Sequence, residues 1–246
     1  RGRRLEVRGA QVGAQFVQHA ARMHQLVGHA PDAGELAQPG AAALARTFDD
    51  LRVRGADAVA MEVSSIAIEL GRVNGVRFRV ASFGNLTQDH LDFHGTMEAY
   101  GAAKAKLFTE LGPGAAVINI ADPFGAKLFT GLHLPKLAVT PDGEIPGQRA
   151  PDLFVRAATR VGIHTEVVLA TPDGDLRSVV PFVGRHNLEN LVVALGIVRL
   201  FDHDLRLTEA LLPNVIGAPG RLEPVSRVGE VPVFVDYAHT PDALVR

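Results

Sequence analysis

The sequence predicts an α/β protein built on a mostly parallel sheet with crossover helices, with a small antiparallel β segment against it. Three observations point there. Strand-like apolar runs alternate with stretches of helical apolar spacing through the first half of the chain. From about Asp152 the pattern changes to successive short strand-like runs. With 246 residues, 47% hydrophobic and 21% charged, the chain can fill the core of one large domain or one and a half ordinary ones, which excludes a disordered polymer.

Taken in order, Ala42 to Arg54 has helical spacing, Gly55 punctuates, and Asp57 to Val63 reads as a buried strand. A short helical stretch follows, then a strand at Arg77 to Phe83, a helix at Met97 to Leu111, a strand at Ala115 to Ile120 and a helix from Pro123 to about Thr130. This β, α, β, α order is that of a layered sheet with crossovers. Phe154 to Thr159, Thr165 to Thr171 and Leu176 to Phe182 read as antiparallel strands, the last two joined through Pro172-Asp173-Gly174. Asn187 to Phe201 is an amphipathic helix, Pro213 to Pro219 a linker, and Val231 to Asp236 a final strand.

Charge and composition narrow the function. The 25 Lys+Arg against 27 Asp+Glu leave a formal charge of -2, which provides no overall basic field for nucleic acid or an anionic membrane. Zero cysteines exclude a disulfide framework, a thiolate zinc site and a cysteine nucleophile, and no apolar run has the length of a membrane span. A cytoplasmic monomer, without nucleic-acid partners or membrane insertion, is the expectation. The chain opens at Arg1-Gly2-Arg3-Arg4 with neither Met nor a signal-like apolar stretch, and reads as a fragment. Its only lysines are Lys104, Lys106, Lys127 and Lys136, so a lysine here is a candidate for chemistry that Arg cannot perform.

Four groups of residues could carry that chemistry. Glu62-Val63-Ser64-Ser65 stands at the carboxyl end of a predicted strand, where open α/β sheets bind ligands; a polar turn would look the same. Asp89-His90-Leu91-Asp92-Phe93-His94 crowds four ionisable side chains into six residues after the next strand, a set that burial tolerates only with a cation or partners and that a surface loop accepts freely. Lys104 follows on a helix. Once deprotonated, its amine can add carbon dioxide to form a carbamate, an oxygen ligand for Mg2+. Asn187 and Asn190 open the long apolar helix, where capping explains one and the second points along the same face.

The strings AVAMEVSS, GRVNGVRF, NLTQDHLDFHGTMEAYGAAKAKLF, VGRHNLENLVVALG, PGRLEPV and VDYAHTPDAL, taken together and in this order, resemble the Mur ligases. Within that family the likeness is greatest to the branch that adds the third amino acid of the peptidoglycan stem. The resemblance implies a central ATP-binding domain over residues 1–218 and the start of a carboxyl-terminal domain over 219–246. It implies ATP and Mg2+ as cofactors, and UDP-MurNAc-dipeptide with diaminopimelate or lysine as substrates. Carried over position by position, Glu62 and His90 correspond to magnesium ligands and Lys104 to a carbamylated lysine, these three forming the catalytic set. Asn190 corresponds to a residue beside adenine, Arg221, Asp236 and His239 to groups near ATP, and Ser64 with Arg72 to substrate contacts.

Departures run in one direction. The family's phosphate loop, G-T-N-G-K-T-T, has no counterpart: no Gly-Lys pair occurs, and Gly9 to Arg22 stands in its place. Ala37-Gln38-Pro39 replaces a Thr-Thr-Pro, Ile66 a His, Leu70 a Gln and Gly84 a Thr. The expectation is an ATP-dependent amide ligase that is inactive as this fragment, with a noncatalytic Mur-like binding or scaffold domain, or a nonfunctional remnant, as the alternative. A metallohydrolase built on His90 and His94 lacks the glutamate of an H-E-x-x-H helix.

Overall fold

The computed structural model describes residues 40–56, 58–147, 149–201, 203–226 and 229–238. Two helices, α1 (Ala41–Val53) and α2 (Ser65–Glu69), precede strand β1 (Val80–Phe83); helices α3 (Leu91–His94) and α4 (Met97–Thr109) lead to β2 (Ala115–Asn119). Helix α5 (Pro123–Gly131) crosses over to β3 (Lys136–Thr140), followed by β4 (Leu153–Val161), β5 (His164–Ala170) and β6 (Leu176–Val180). Helix α6 (Arg185–Leu200), a 3-10 helix (Leu205–Asn214) and the short strands β7 (Glu223–Pro224) and β8 (Phe234–Val235) complete the order.

Strands β1 to β6 form one sheet in sequence order. The first four run parallel, and β4, β5 and β6 pair antiparallel. The antiparallel segment therefore extends the main sheet instead of sitting against it: β4 continues the ladder through Val139↔Leu153 and Thr140↔Phe154. All five residues of β2 are buried, as a parallel strand covered on both faces requires. Side chains alternate between two cores. Ala116, Ile118 and Ala138 pack with Leu107 and Phe108 of α4 and Leu128 and Phe129 of α5 on one face; Val117 and Val139 pack with Leu188, Leu191, Val192 and Leu195 of α6 on the other.

Local chemistry sets the helix starts. Asp122 precedes Pro123 at the first turn of α5 and accepts hydrogen bonds from the Phe124 and Gly125 amides at 2.8 and 3.0 Å. Thr96 caps α4 through the Ala99 amide, and Ser64 caps α2 through Ala67. Helix α5 lies so close to β2 that a Cβ on Gly125 would stand 2.1 Å from the Asn119 carbonyl oxygen.

Three expectations about elements change, and one strand was not anticipated. The strand expected over 57–63 forms no ladder in residues 58–63: among the described residues nothing pairs with the outer edge of β1, and Val59 and Glu62 are exposed. β3 is a strand that the sequence pattern did not single out. The expected linker begins with the end of the 3-10 helix, which contains Pro213, and the final strand pairs only over Phe234–Val235. Among the described residues, no helix is long and apolar enough to cross a membrane.

Candidate functional site at the carboxyl edge of the sheet

The loop after β1 is tied down from two sides. The Leu86 amide donates to Asp122 Oδ2 at 2.9 Å, linking it to the end of β2, and Asn85 Nδ2 donates to Glu189 Oε1 at 2.8 Å, linking it to α6. The loop then reaches Asp89 and His90. The His90 amide donates to Asp89 Oδ1 at 2.8 Å, and its ring Nε2 lies 3.6 Å from Asp89 Oδ2. His90 takes φ 51°, a left-handed conformation that a residue with a Cβ keeps only when its surroundings hold it there.

Tyr100, buried on α4, is the centre of the cluster. The His94 ring stacks on it at 5.2 Å between centroids, the His90 ring meets it edge-on at 6.2 Å, and Lys104 Nζ lies 5.1 Å from its ring centroid. His94 Nε2 is also hydrogen-bonded to buried Ser65 Oγ at 2.8 Å, and Lys106 pairs with Glu69 at 2.7 Å, so two contacts fasten α2 to the α3–α4 segment.

The charges act on one another. Burial lowers the Lys104 pKa below the ordinary lysine value, opposed by the negative charges of Glu62, Asp89 and Asp122. Burial, then the charges of Asp89 and Glu62, push the Tyr100 phenol up to about 12. His94 is lowered chiefly by burial, with His90 and Lys104 acting in the same direction and Glu69 and Asp92 against it. Glu62, His90 and Lys104, far apart in sequence, thus belong to one electrostatic neighbourhood around Tyr100. Among the described residues, no three His, Asp or Glu side chains are already arranged to hold a metal. The donor set suits a hard cation only if Lys104 contributes oxygen in place of its ammonium, and burial of the amine is the feature that favours this.

A second cluster lies at the start of α6. Arg185 forms a two-pronged pair with Asp142, just beyond β3, with Nε 2.8 Å from Oδ1. Buried Asn187 does not cap the helix; its Nδ2 donates to the Val183 and Arg221 carbonyls at 2.8 and 2.9 Å, fastening the segment after the 3-10 helix onto α6. Asn190, one turn later, is exposed, so the two asparagines face different surroundings. Asp236 accepts from the Leu222 and Ala238 amides at 2.8 and 2.6 Å. Those bonds hold its carboxyl below the usual carboxylate range, with His186 and Arg221 adding to the effect, which places Arg221 and Asp236 together.

Ser64 spends its oxygen on the α2 cap, and Arg72 follows that helix, half-buried. His239, Gly9 to Arg22 and Ala37-Gln38-Pro39 lie outside the described residues. Sequence reasoning missed the structural parts played by Asn85, Tyr100, Asp122 and Glu189. Asp122-Pro123 carried a legible cap signal, whereas nothing local marks Glu189. A cavity of about 500 Å³, lined by Arg79, Gly114, Pro135 and Arg199 among others, opens at the opposite, amino edge of the sheet, away from both clusters.

Residues 10–198 match the model of the Mur ligase middle domain. The chain belongs to the Mur ligase family. It is 42% identical over 199 residues to the UDP-N-acetylmuramoyl-L-alanyl-D-glutamate--2,6-diaminopimelate ligase of Xylella fastidiosa (strain 9a5c), covering 79% of this chain and 39% of that protein. To the ligase of the same name from Pseudomonas aeruginosa it is 40% identical over 219 residues, covering 87% and 43%. A solved structure of a protein of that name superposes with a TM-score of 0.75 at 28% identity, covering 96% of this chain and 51% of its own. This Mur ligase chain thus spans about four-tenths of the length of the curated relatives it matches.

Proposed function

We propose that this chain is the central part of an ATP-dependent ligase of peptidoglycan precursor synthesis, which joins diaminopimelate to UDP-MurNAc-L-Ala-D-Glu. The observation that carries the reading is the 42% identity to a ligase of that name. The choice of diaminopimelate over lysine rests on the same relatives. In the proposed reaction the D-glutamate carboxylate is phosphorylated by ATP, and the incoming amine displaces phosphate from the acyl phosphate to form the amide.

The residues divide by edge position. Glu62, His90 and the carbamate of Lys104 would hold Mg2+, which when bound supplies positive charge against the phosphoryl oxygens. Tyr100 seats the Lys104 side chain, and Asp122 and Asn85 fix the loop that brings His90 to it. By the family resemblance, Asn190 would border the adenine, Arg221 and Asp236 would contact the nucleotide, Ser64 with Arg72 would contact the UDP-muramoyl substrate, and His239 is assigned to the nucleotide by its sequence match alone. Phosphate release and amide formation, assayed with UDP-MurNAc-L-Ala-D-Glu, ATP, Mg2+ and either diaminopimelate or lysine in the full-length protein that contains this chain with a functional phosphate loop restored over Gly9 to Arg22, test the reading. Activity with diaminopimelate that disappears in Lys104→Ala is the expected result, and preference for lysine or full activity in the variant overturns it.

A further inference from the structure

The seam between β1 and α6 contains a carboxylate with no local sequence signal. Glu189 is 7% exposed; its Oε1 accepts the Asn85 side-chain N–H at 2.8 Å, and its Oε2 lies 3.9 Å from Arg185 Nη1. Space for it exists because residue 84 is glycine. A Cβ at Gly84 would stand 3.2 Å from Glu189 Oε1, closer than a side chain and a carboxylate ordinarily approach, and this is the position where the family resemblance leads one to expect threonine.

What Glu189 holds is the beginning of the loop that carries Asp89 and His90. Asn85 and Leu86 are gripped by two carboxylates from different elements, Glu189 on α6 and Asp122 before α5, five and four residues before the left-handed turn at His90. We propose that Gly84 and Glu189 form a compensating pair, and that Glu189 is a positioning residue: its carboxylate occupies the space a threonine at 84 would fill and, through Asn85, fixes the loop bearing Asp89 and His90. This rests on the cation-site reading above. Such an outer partner matters because a cation senses the orientation of its ligands as much as their identity.

The test uses the full chain, Mn2+ alone in bicarbonate buffer as the probe, and a parallel thermal unfolding series. Glu189→Ala is expected to weaken Mn2+ binding roughly tenfold or more, while Glu189→Gln, whose amide oxygen still accepts from Asn85, stays within about threefold. Gly84→Thr should weaken binding as well, and Gly84→Thr combined with Glu189→Ala should recover at least part of the loss, a sign that independent sites do not give. Unchanged binding in Glu189→Ala, or strictly additive losses in the double variant, overturns the proposal. If the parent chain binds no Mn2+, the cation-site reading falls separately, and the unfolding cycle decides the pair: a double variant more stable than the sum of its singles supports it, and additivity overturns it.

Discussion

At neutral pH an ordinary lysine is almost wholly protonated, and burial is the influence on Lys104 that favours the neutral amine. Glu62, Asp89 and Asp122 oppose it, yet the net shift is downward, so more neutral amine faces carbon dioxide than on a solvated lysine. With 13C-labelled bicarbonate, the parent chain should show a carbamate resonance that strengthens with Mg2+ and is absent in Lys104→Arg; an unchanged spectrum in that variant would mean that another amine is responsible. Tyr100 offers a second titration. Its folded value of about 12 lies above the ordinary tyrosine value, so the fold favours the neutral phenol, and that stabilisation is complete below the unfolded value and is lost as pH rises through about 12. Unfolding midpoints measured between pH 9 and 12 should therefore fall more steeply for the parent than for Tyr100→Phe, and parallel curves would contradict the assignment. Lys104 was legible in the sequence through the scarcity of lysine, and His90 through crowding of ionisable groups; Glu189 was not, because its partner Asn85 lies 104 residues away.

Elements are fixed by a few hydrogen bonds that serve two structures at once. Asp122 uses one oxygen to cap α5 and the other to hold the loop after β1, so the helix start and the site loop share a single carboxylate. Asp122→Ala should destabilise the chain by about 1–2 kcal/mol through the lost cap, with Asp122→Asn less affected, as measured by urea unfolding. Gly125→Ala acts by contact instead: with Asn119 O at 2.1 Å from the added carbon, α5 must move off β2, at a cost of about 1–3 kcal/mol. A variant as stable as the parent would show that the helix has slack. The same division explains what the sequence conveyed. β2, α5 and the Pro-Asp-Gly turn between β5 and β6 carry local signals, a solid apolar run, an Asp-Pro cap and a turn tripeptide. β3 is short and begins at Lys136, whose ammonium is bonded to the Phe129 and Leu132 carbonyls, so its charge conceals a strand start. Residues 58–63 have strand composition, but a strand exists only through a partner ladder, and that pairing is not written in the segment itself.

For the whole molecule, α6 is the element through which distant parts of the edge meet. Its first turns hold the site loop through Glu189, the exit of β3 through Arg185 and the segment carrying Arg221 through Asn187. That long-range arrangement follows from sheet topology, which the alternation of elements foretold, while the bonds that execute it span from about 30 to 100 residues and left no local mark. Phosphoryl transfer relies on positioning and charge stabilisation more than on covalent chemistry by the protein, and in this family both are supplied in part by the phosphate loop's lysine and hydroxyl. The sequence has no Gly-Lys pair, so the proposed cation site around Tyr100 and the Arg221–Asp236 cluster would face a nucleotide whose terminal phosphates lack that clamp. The chain alone is expected to bind adenine nucleotide weakly, losing that binding in Arg221→Ala, and to release no phosphate above a Lys104→Ala control under multiple-turnover conditions. Sustained, Lys104-dependent phosphate release by the chain alone would show that some other group in it supplies the charge, and would overturn the inactivity proposed from the missing loop.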